Sequence, residues 1–394
     1  MLTYHTAGES HGKGLLALVE GFPAGFDICE ETIHTELRRR QGGYGRGGRQ
    51  AIETDTVEIL TGVQGLRTLG SPIALWVKNR DFRLPQLGDL ESPRPGHGDL
   101  SGSLKYRSTM RAILERASAR ETAARVAAGG LARQLLSRLG IEVFGFVTRI
   151  GSAKLPILPQ AEAWFAEMDG GNSAAVENLR KMRQENELMG LCSPEAEEVA
   201  KKTIDRAGEE GDTLGGMIEV RATGLPFGLG THVQWDAKLD GKLAQAVMAV
   251  QAIKGVEIGL GMASATLPGS RVHDPILYDA EKAATRTLGY VRPTNHAGGL
   301  EAGMTNTQPL VLRAAMKPIA TLKKALASVH RQTHEPVSAS WERSDVCAVS
   351  AASVVVENVV AFALAAAVME KFGGDSWEEV QTHWEMCQKM GILG

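Results

Sequence analysis

The sequence predicts an α/β fold. Two patterns carry that prediction: stretches rich in β-branched residues or alternating in polarity recur along the 394 residues, and helical patterns fall between them. Composition removes the alternatives. Hydrophobic residues make up 43% and charged residues 23%, near the average for soluble globular proteins, which leaves no case for a disordered or fibrous chain.

Strands are expected at residues 15–20, 57–61, 73–77, 142–148, 217–222 and 310–315. The best-defined helix runs over 119–139, because Ser118 and Glu121 have capping-box spacing and Gly140 can end it. Segments 15–25 (LLALVEGFPAG) and 217–228 (MIEVRATGLPFG) are alike: each is a strand ending in Gly-x-Pro-x-Gly, before a helical segment near 30–40 or 236–250. A duplicated strand-loop-helix unit accounts for both. Between 152 and 212 the composition shifts to Glu, Lys, Asn and Met, which reads as a charged helical insertion. No low-complexity linker divides the chain, so residues 1–394 are read as one domain carrying that insertion.

Residues 346–369 are almost continuously apolar and long enough to cross a bilayer. Glu357 and Asn358 sit at their centre, where an acidic group costs about 2.5 kcal/mol or more in lipid. The segment therefore reads as a buried helix ending at Phe372, with Gly373 closing it, and no membrane association is expected. A net charge of -3 argues against a surface built to hold nucleic acid. The cysteines (Cys29, Cys192, Cys347, Cys387) lie far apart without metal-ligand spacing, which suggests neither zinc nor a disulfide framework. With an N-terminus that lacks an apolar signal core, they imply the cytoplasm.

Five segments have the residue types of a site. Gly8-Glu9-Ser10-His11-Gly12-Lys13-Gly14 sets a hydroxyl, an imidazole and an amine among glycines that let the backbone approach a ligand; a plain turn is the alternative. The stretch 38–49 mixes Arg38, Arg39, Arg40, Arg46 and Arg49 with five glycines. Guanidinium forks match carboxylate and phosphate, so a small polyanion fits; an RGG-like RNA arm or a solvated basic loop are the rivals. Pro93-Arg94-Pro95-Gly96-His97-Gly98-Asp99 fixes a loop around one imidazole, the side chain best able to give a proton near neutrality. Glu115-Arg116-Ala117-Ser118-Ala119-Arg120-Glu121-Thr122 opens the long helix, and Arg120 in its first turn opposes the helix dipole. An anion held between Arg120 and the free amides, or a salt bridge to Glu115 or Glu121, would offset that cost. Last comes Arg343-Ser344-Asp345, ahead of the apolar helix, where a structural ion pair is the alternative to a cofactor contact.

Together and in this order the five segments resemble the chorismate synthase family, whose patterns are GESHG, an arginine- and glycine-rich stretch, PGHAD, SARET and RSD. The resemblance extends through NHAGGL at 295–300 and MKPIATL at 316–322 and so covers essentially the whole chain. Gly98 stands where the family usually has Ala, and Ala302 where Gly is common.

The resemblance implies a βαβ sandwich with central helices between antiparallel sheets, assembled as a homotetramer. It implies a lyase that removes phosphate and a C6 hydrogen from 5-enolpyruvylshikimate 3-phosphate by anti 1,4-elimination, with reduced FMN (FMNH2) and no net redox change. The substrate is a phosphorylated dicarboxylate, expected on Ser10, Arg40, Arg46, Arg49, Arg94, Arg120 and Arg343. By resemblance His11 protonates the departing phosphate, His97 protonates reduced flavin near N1, and Asp345 helps N5 lose its proton before N5 takes the C6 hydrogen. Flavin contacts are expected from Arg40, Arg46, Arg116, Ala117, Ser118, Gln251, Ala252, Ala302, Lys317, Pro318, Ile319, Ala320, Thr321 and Arg343. No GxGxxG fingerprint follows a strand, so the residues alone do not announce a flavin. Some members also reduce their own FMN with NADPH; a chain without an added reductase domain implies an external flavin reductase. The rival readings are a net flavin oxidoreductase and an RNA-binding protein using the Arg/Gly stretch.

Overall fold

The β-branched segments pair into two main antiparallel sheets. In the computed structural model, which describes residues 1–46, 54–342 and 344–390, the first sheet contains β1 (Thr3–Gly8), β2 (Gly14–Glu20), β3 (Val57–Thr61) and β4 (Ile73–Lys78) in the order β1-β2-β4-β3. The second contains β5 (Glu142–Ile150), β6 (Gly216–Thr223), β7 (Ile253–Ile258) and β8 (Leu310–Met316) in the order β7-β8-β6-β5, with the short strand Ala153–Lys154 at its edge. In β8 strict alternation turns Leu310, Leu312, Ala314 and Met316 inward.

The helices are α1 (Glu30–Gln41), α2 (Asp99–Tyr106), α3 (Met110–Ala117), α4 (Thr122–Arg138), α5 (Pro159–Asp169), α6 (Ser173–Glu185), α7 (Pro194–Glu209), α8 (Leu239–Met248), α9 (Val349–Phe372) and α10 (Trp377–Met390). In α1, Glu30 and Glu31 occupy the first turn and Arg38, Arg39 and Arg40 the last, the arrangement the helix dipole favours. Helix α4 packs on α1, α9 and strands β2 and β4, while α9 packs on β5 and β6. Helix α9 is the apolar segment noted above; it is enclosed by protein and ends at Gly373 with φ 57°. Strand β5 is buried on both faces: Val143 and Val147 join the main core, and Phe144 and Phe146 pack with Phe165 of α5 and Leu179 of α6.

The start of α4 departs from the expected capping box. Ser118 accepts from the Arg120 N–H at 3.3 Å and a 3-10 turn, Ala119–Glu121, precedes the helix. Glu121 instead spends its carboxylate on Thr6, Arg125 and Gln251, so it cannot reach back to close the box.

Helices α4 and α9 touch most closely at Gly129, where a Cβ would lie 2.4 Å from Asn358 Cβ and 2.6 Å from its carbonyl oxygen. Gly129→Ala therefore overpacks the contact despite alanine's better helix propensity, with an expected cost of about 1–3 kcal/mol. A thermal melt checks this; an unchanged or higher Tm would mean that the helices can separate freely.

Candidate active site

The turn between β1 and β2 carries Ser10 and His11. Gly8, at φ 103°, opens it, and a Cβ there would sit 2.3 Å from the Gly14 carbonyl oxygen, so only glycine serves. Asn79, just past β4, donates its side-chain amide to the carbonyls of Glu9, Ser10 and Gly12 at 3.1, 3.2 and 2.9 Å. From the opposite side the last turn of α3 holds the same loop. The Glu115 carbonyl accepts from the Ser10 N–H at 2.9 Å, and its carboxylate accepts from the His11 N–H at 2.8 Å. Both Glu115 carboxylate oxygens also lie 3.0 Å from His11 Nδ1, while Nε2 of that ring faces Asp81 at 3.8 Å. Ser118 donates to Ser10 Oγ at 3.2 Å.

Arg40, at the end of α1, and Arg120 meet on one buried carboxylate. Asp55 takes Arg40 at 2.7 Å and Arg120 at 2.7 Å, and Arg120 Nε donates to Asn79 Oδ1 at 2.9 Å. Arg120 thus pairs with Asp55 and Asn79 rather than with Glu115 or Glu121. Among the described residues this sets two guanidiniums against one carboxylate. Burial is the main reason that the Arg40 guanidinium is pushed down to about 10. Burial by itself raises the Asp55 carboxyl, but Arg40 and Arg120 outweigh it and hold it below its ordinary value.

The third cluster is built on the 93–99 loop. Asp99, fully buried, accepts from Arg94 Nε at 2.7 Å and NH2 at 3.0 Å, and lies 2.5 Å from His97 Nδ1. Burial opposes the Asp99 charge, yet the hydrogen bonds from His97 and Arg94 keep its pKa far below the usual carboxylate range. Arg94 NH1 reaches Thr321 Oγ1 at 3.0 Å, and the Thr321 carbonyl accepts from Ser344. Arg46 pairs with Asp345 at 2.6 Å. On helix α3, Arg111 pairs with Glu115 at 3.7 Å and with Glu342 at 2.6 Å. Arg49 and Arg343 lie outside the described residues. Among the described residues no group of three His, Cys, Asp or Glu could hold a metal ion.

The geometry can be set beside known proteins. A family model described as chorismate synthase matches residues 2–369. The chain belongs to the chorismate synthase family. It is thereby a phosphate-eliminating carbon–oxygen lyase. It is 51% identical to the chorismate synthase of Desulforamulus reducens over 99% of each chain, and 51% identical to that of Geobacter metallireducens over 98% of each. A crystal structure of chorismate synthase matches with TM-score 0.78 and 42% identity, covering 100% of this chain and 99% of the other.

The residues that chorismate synthase resemblance assigns to FMN fall mostly around these clusters. Arg116 donates to the Gly8 carbonyl at 3.0 Å and to the Thr6 carbonyl at 2.9 Å, so its fork is seated on β1. Gln251 donates to Glu121 at 3.0 Å, and the Ala252 carbonyl accepts from the Lys317 N–H at 2.9 Å. A Cβ on Gly96 would lie 3.8 Å from both Lys317 Nζ and Ala320 Cβ, which sets the 317–321 segment against the His97 loop. Burial and then the neighbouring Lys254 push the Lys317 ammonium down. An anionic group is the chemistry that such a lysine pair accepts. Ala302 sits at φ 50° in the turn between the short strands Leu300–Glu301 and Met304–Asn306.

Sequence reading named the cations and imidazoles of this site but missed Asp55, Asn79 and Asp81, which lie in none of the five motifs. Glu115 and Asp99 stand inside the motifs, beside SARET and His97, and that adjacency is the local signal for their pairing with the histidines.

Proposed function

We propose that this site converts 5-enolpyruvylshikimate 3-phosphate to chorismate, the last step of the shikimate pathway, by anti 1,4-elimination of phosphate and the C6 hydrogen. The reading rests above all on one observation: buried guanidiniums and two carboxylate-held imidazoles gather on neighbouring loops of a chain from this family. The substrate's two carboxylates and phosphate are matched by Arg40, Arg46, Arg49, Arg94, Arg120 and Arg343, with Ser10 adding a hydrogen bond. His11, oriented by Glu115, gives a proton to the departing phosphate. Reduced FMN, when bound, supplies the electron density needed to release a C6 hydrogen too weakly acidic for a side-chain base. Arg116, Ala117, Ser118, Gln251, Ala252, Ala302 and Lys317 to Thr321 would hold it, joined by Arg40, Arg46 and Arg343. His97, held by Asp99, would keep a proton at the flavin N1 edge, and Asp345, paired with Arg46, would be the carboxylate placed to accept a proton near N5.

We read the architecture as a helix layer between two antiparallel sheets, built from a duplicated unit. Supporting this, the glycines of the two Gly-x-Pro-x-Gly segments share one conformation: Gly21 and Gly25 at φ 76° and 78°, Gly224 and Gly228 at 75° and 73°. A threonine hydroxyl locks each in the same way. Thr68 donates to the Pro23 carbonyl at 2.6 Å and accepts from the Phe26 N–H at 2.8 Å; Thr305 repeats both distances with Pro226 and Leu229. The assembly is a cytoplasmic homotetramer, for which exposed Leu277, Tyr278 and Tyr290 offer apolar surface. NADPH reduces the flavin through an external reductase.

The test is anaerobic. Protein, photoreduced FMN and substrate should release phosphate and chorismate while the flavin stays reduced. Stoichiometric flavin oxidation would instead favour a net oxidoreductase.

A further inference from the structure

We propose that Glu115 is a positioning residue for the reaction: it fixes the tautomer of His11 so that Nε2, not Nδ1, is the nitrogen directed at the departing group. The inference deepens the functional reading above and rests on His11 being the proton donor.

Its basis is the number and direction of the contacts. Glu115 is 2% exposed and sits in the last turn of α3, so it is held by a helix rather than by the loop it touches. Its backbone carbonyl takes the Ser10 N–H and its carboxylate takes the His11 N–H, which clamps the two successive peptides that lead into the ring. Both carboxylate oxygens then stand 3.0 Å from Nδ1. Burial opposes the charge on Glu115, but the His11 hydrogen bonds and Arg111 outweigh that and keep it an acceptor only. An acceptor-only partner requires the proton on Nδ1, so Nε2 becomes the nitrogen that gains and gives the mobile proton. Nε2 points the other way, toward Asp81, with no hydrogen bond to Glu115. A carboxylate that merely anchored the loop would need the backbone contact alone.

A carboxylate also meets the second histidine, where Asp99 faces His97 Nδ1 at 2.5 Å. There Arg94 NH2 also stands 3.0 Å from Nδ1, whereas among the described residues His11 Nδ1 faces Glu115 alone, so the contact at His11 is the one that specifies a tautomer.

The experiment reads the tautomer directly and the rate in parallel. In the wild-type protein, neutron diffraction or 15N-histidine spectroscopy at neutral pH should find His11 with its proton on Nδ1. Glu115→Gln keeps the shape but can donate its amide to Nδ1, and should move the proton to Nε2 while lowering kcat about 100-fold with KM changed less than threefold. Glu115→Asp should recover part of the loss. In a His11→Ala background, Glu115→Gln should cost little more, because both act through one group. A wild-type ring protonated on Nε2 overturns the proposal whether or not any variant folds. So does a full additional 100-fold loss in the His11→Ala background. If His11→Ala alone leaves turnover intact, it is the proton-donor reading that fails, and the tautomer measurement still judges the contact.

Discussion

Glu357→Ala should destabilise the protein by about 3–5 kcal/mol, enough to prevent folding in much of the expressed chain. Glu357 is fully buried at the middle of α9 and holds three guanidiniums at once: Arg39 of α1 at 2.6 Å, Arg183 of α6 at 3.1 Å, and Arg133 of α4. Glu36 supplies the second carboxylate, taking Arg39 at 2.7 Å and the Asn358 amide at 2.8 Å. Three cations against two anions leave the cluster with one excess positive charge, and Arg183, buried and beside Arg39, is pushed down to about 9. Arg183 is also stacked 3.9 Å from the Phe144 ring centroid and donates to the Gly145 carbonyl at 2.7 Å, so it cannot swing out to water without unpacking β5. Removing Glu357 strands these cations in the core. Denaturant titration of the variant measures the loss, and a midpoint unchanged from wild type would show that the cluster does not contribute.

The pH dependence follows with a definite sign. Burial raises the Glu357 carboxyl, but Arg183, Arg39 and Arg133 overcome it and hold it well below its ordinary 4.5. A carboxylate whose folded pKa is depressed contributes stability that is complete above its unfolded value and is lost as pH falls through the folded one. The gap between wild type and Glu357→Ala should therefore be constant from pH 6 to 8 and narrow only in acid, below about 4.5. A gap that narrows toward alkaline pH would contradict this assignment of charge.

The same residue marks where sequence reading stops. Glu357 at the centre of an apolar run was enough to reject a membrane span, since a lone carboxylate in lipid has no solvation. Its partners lie at positions 39, 133 and 183, and no local pattern links them. Strand positions were legible because polarity alternation is local: 15–20 appears as Gly14–Glu20 and 217–222 as Gly216–Thr223. The end of α9 was legible for a similar reason, as Gly373 adopts the positive φ that closes a helix. The functional cations and imidazoles stood in compact motifs. What balances them did not, because Asp55 and Asn79 reach Arg120 from separate segments of the first half of the chain. The expected cap at Ser118 and Glu121 failed on the same ground, a tertiary claim by Thr6, Arg125 and Gln251 outbidding a local one.

The largest effects on turnover should come from His11→Ala and His97→Ala, each lowering it by roughly a hundredfold or more, the scale of a lost general acid. Neither change should unfold the chain. After His11→Ala the loop keeps the three Asn79 bonds and both backbone bonds to Glu115, and after His97→Ala the Arg94–Asp99 pair remains at 2.7 Å. The two losses should differ in kind. His11 is assigned to the leaving phosphate, so a substrate analogue whose leaving group needs no protonation should restore the His11→Ala rate and leave the His97→Ala rate low. His97 is assigned to the flavin edge, so its loss should alter the absorbance of bound reduced FMN, which His11→Ala should leave unchanged. Anaerobic single-turnover measurements on both variants decide between these roles. Wild-type rates in both would remove the histidines from the chemistry, and analogue rescue of His97→Ala instead would exchange their assignments.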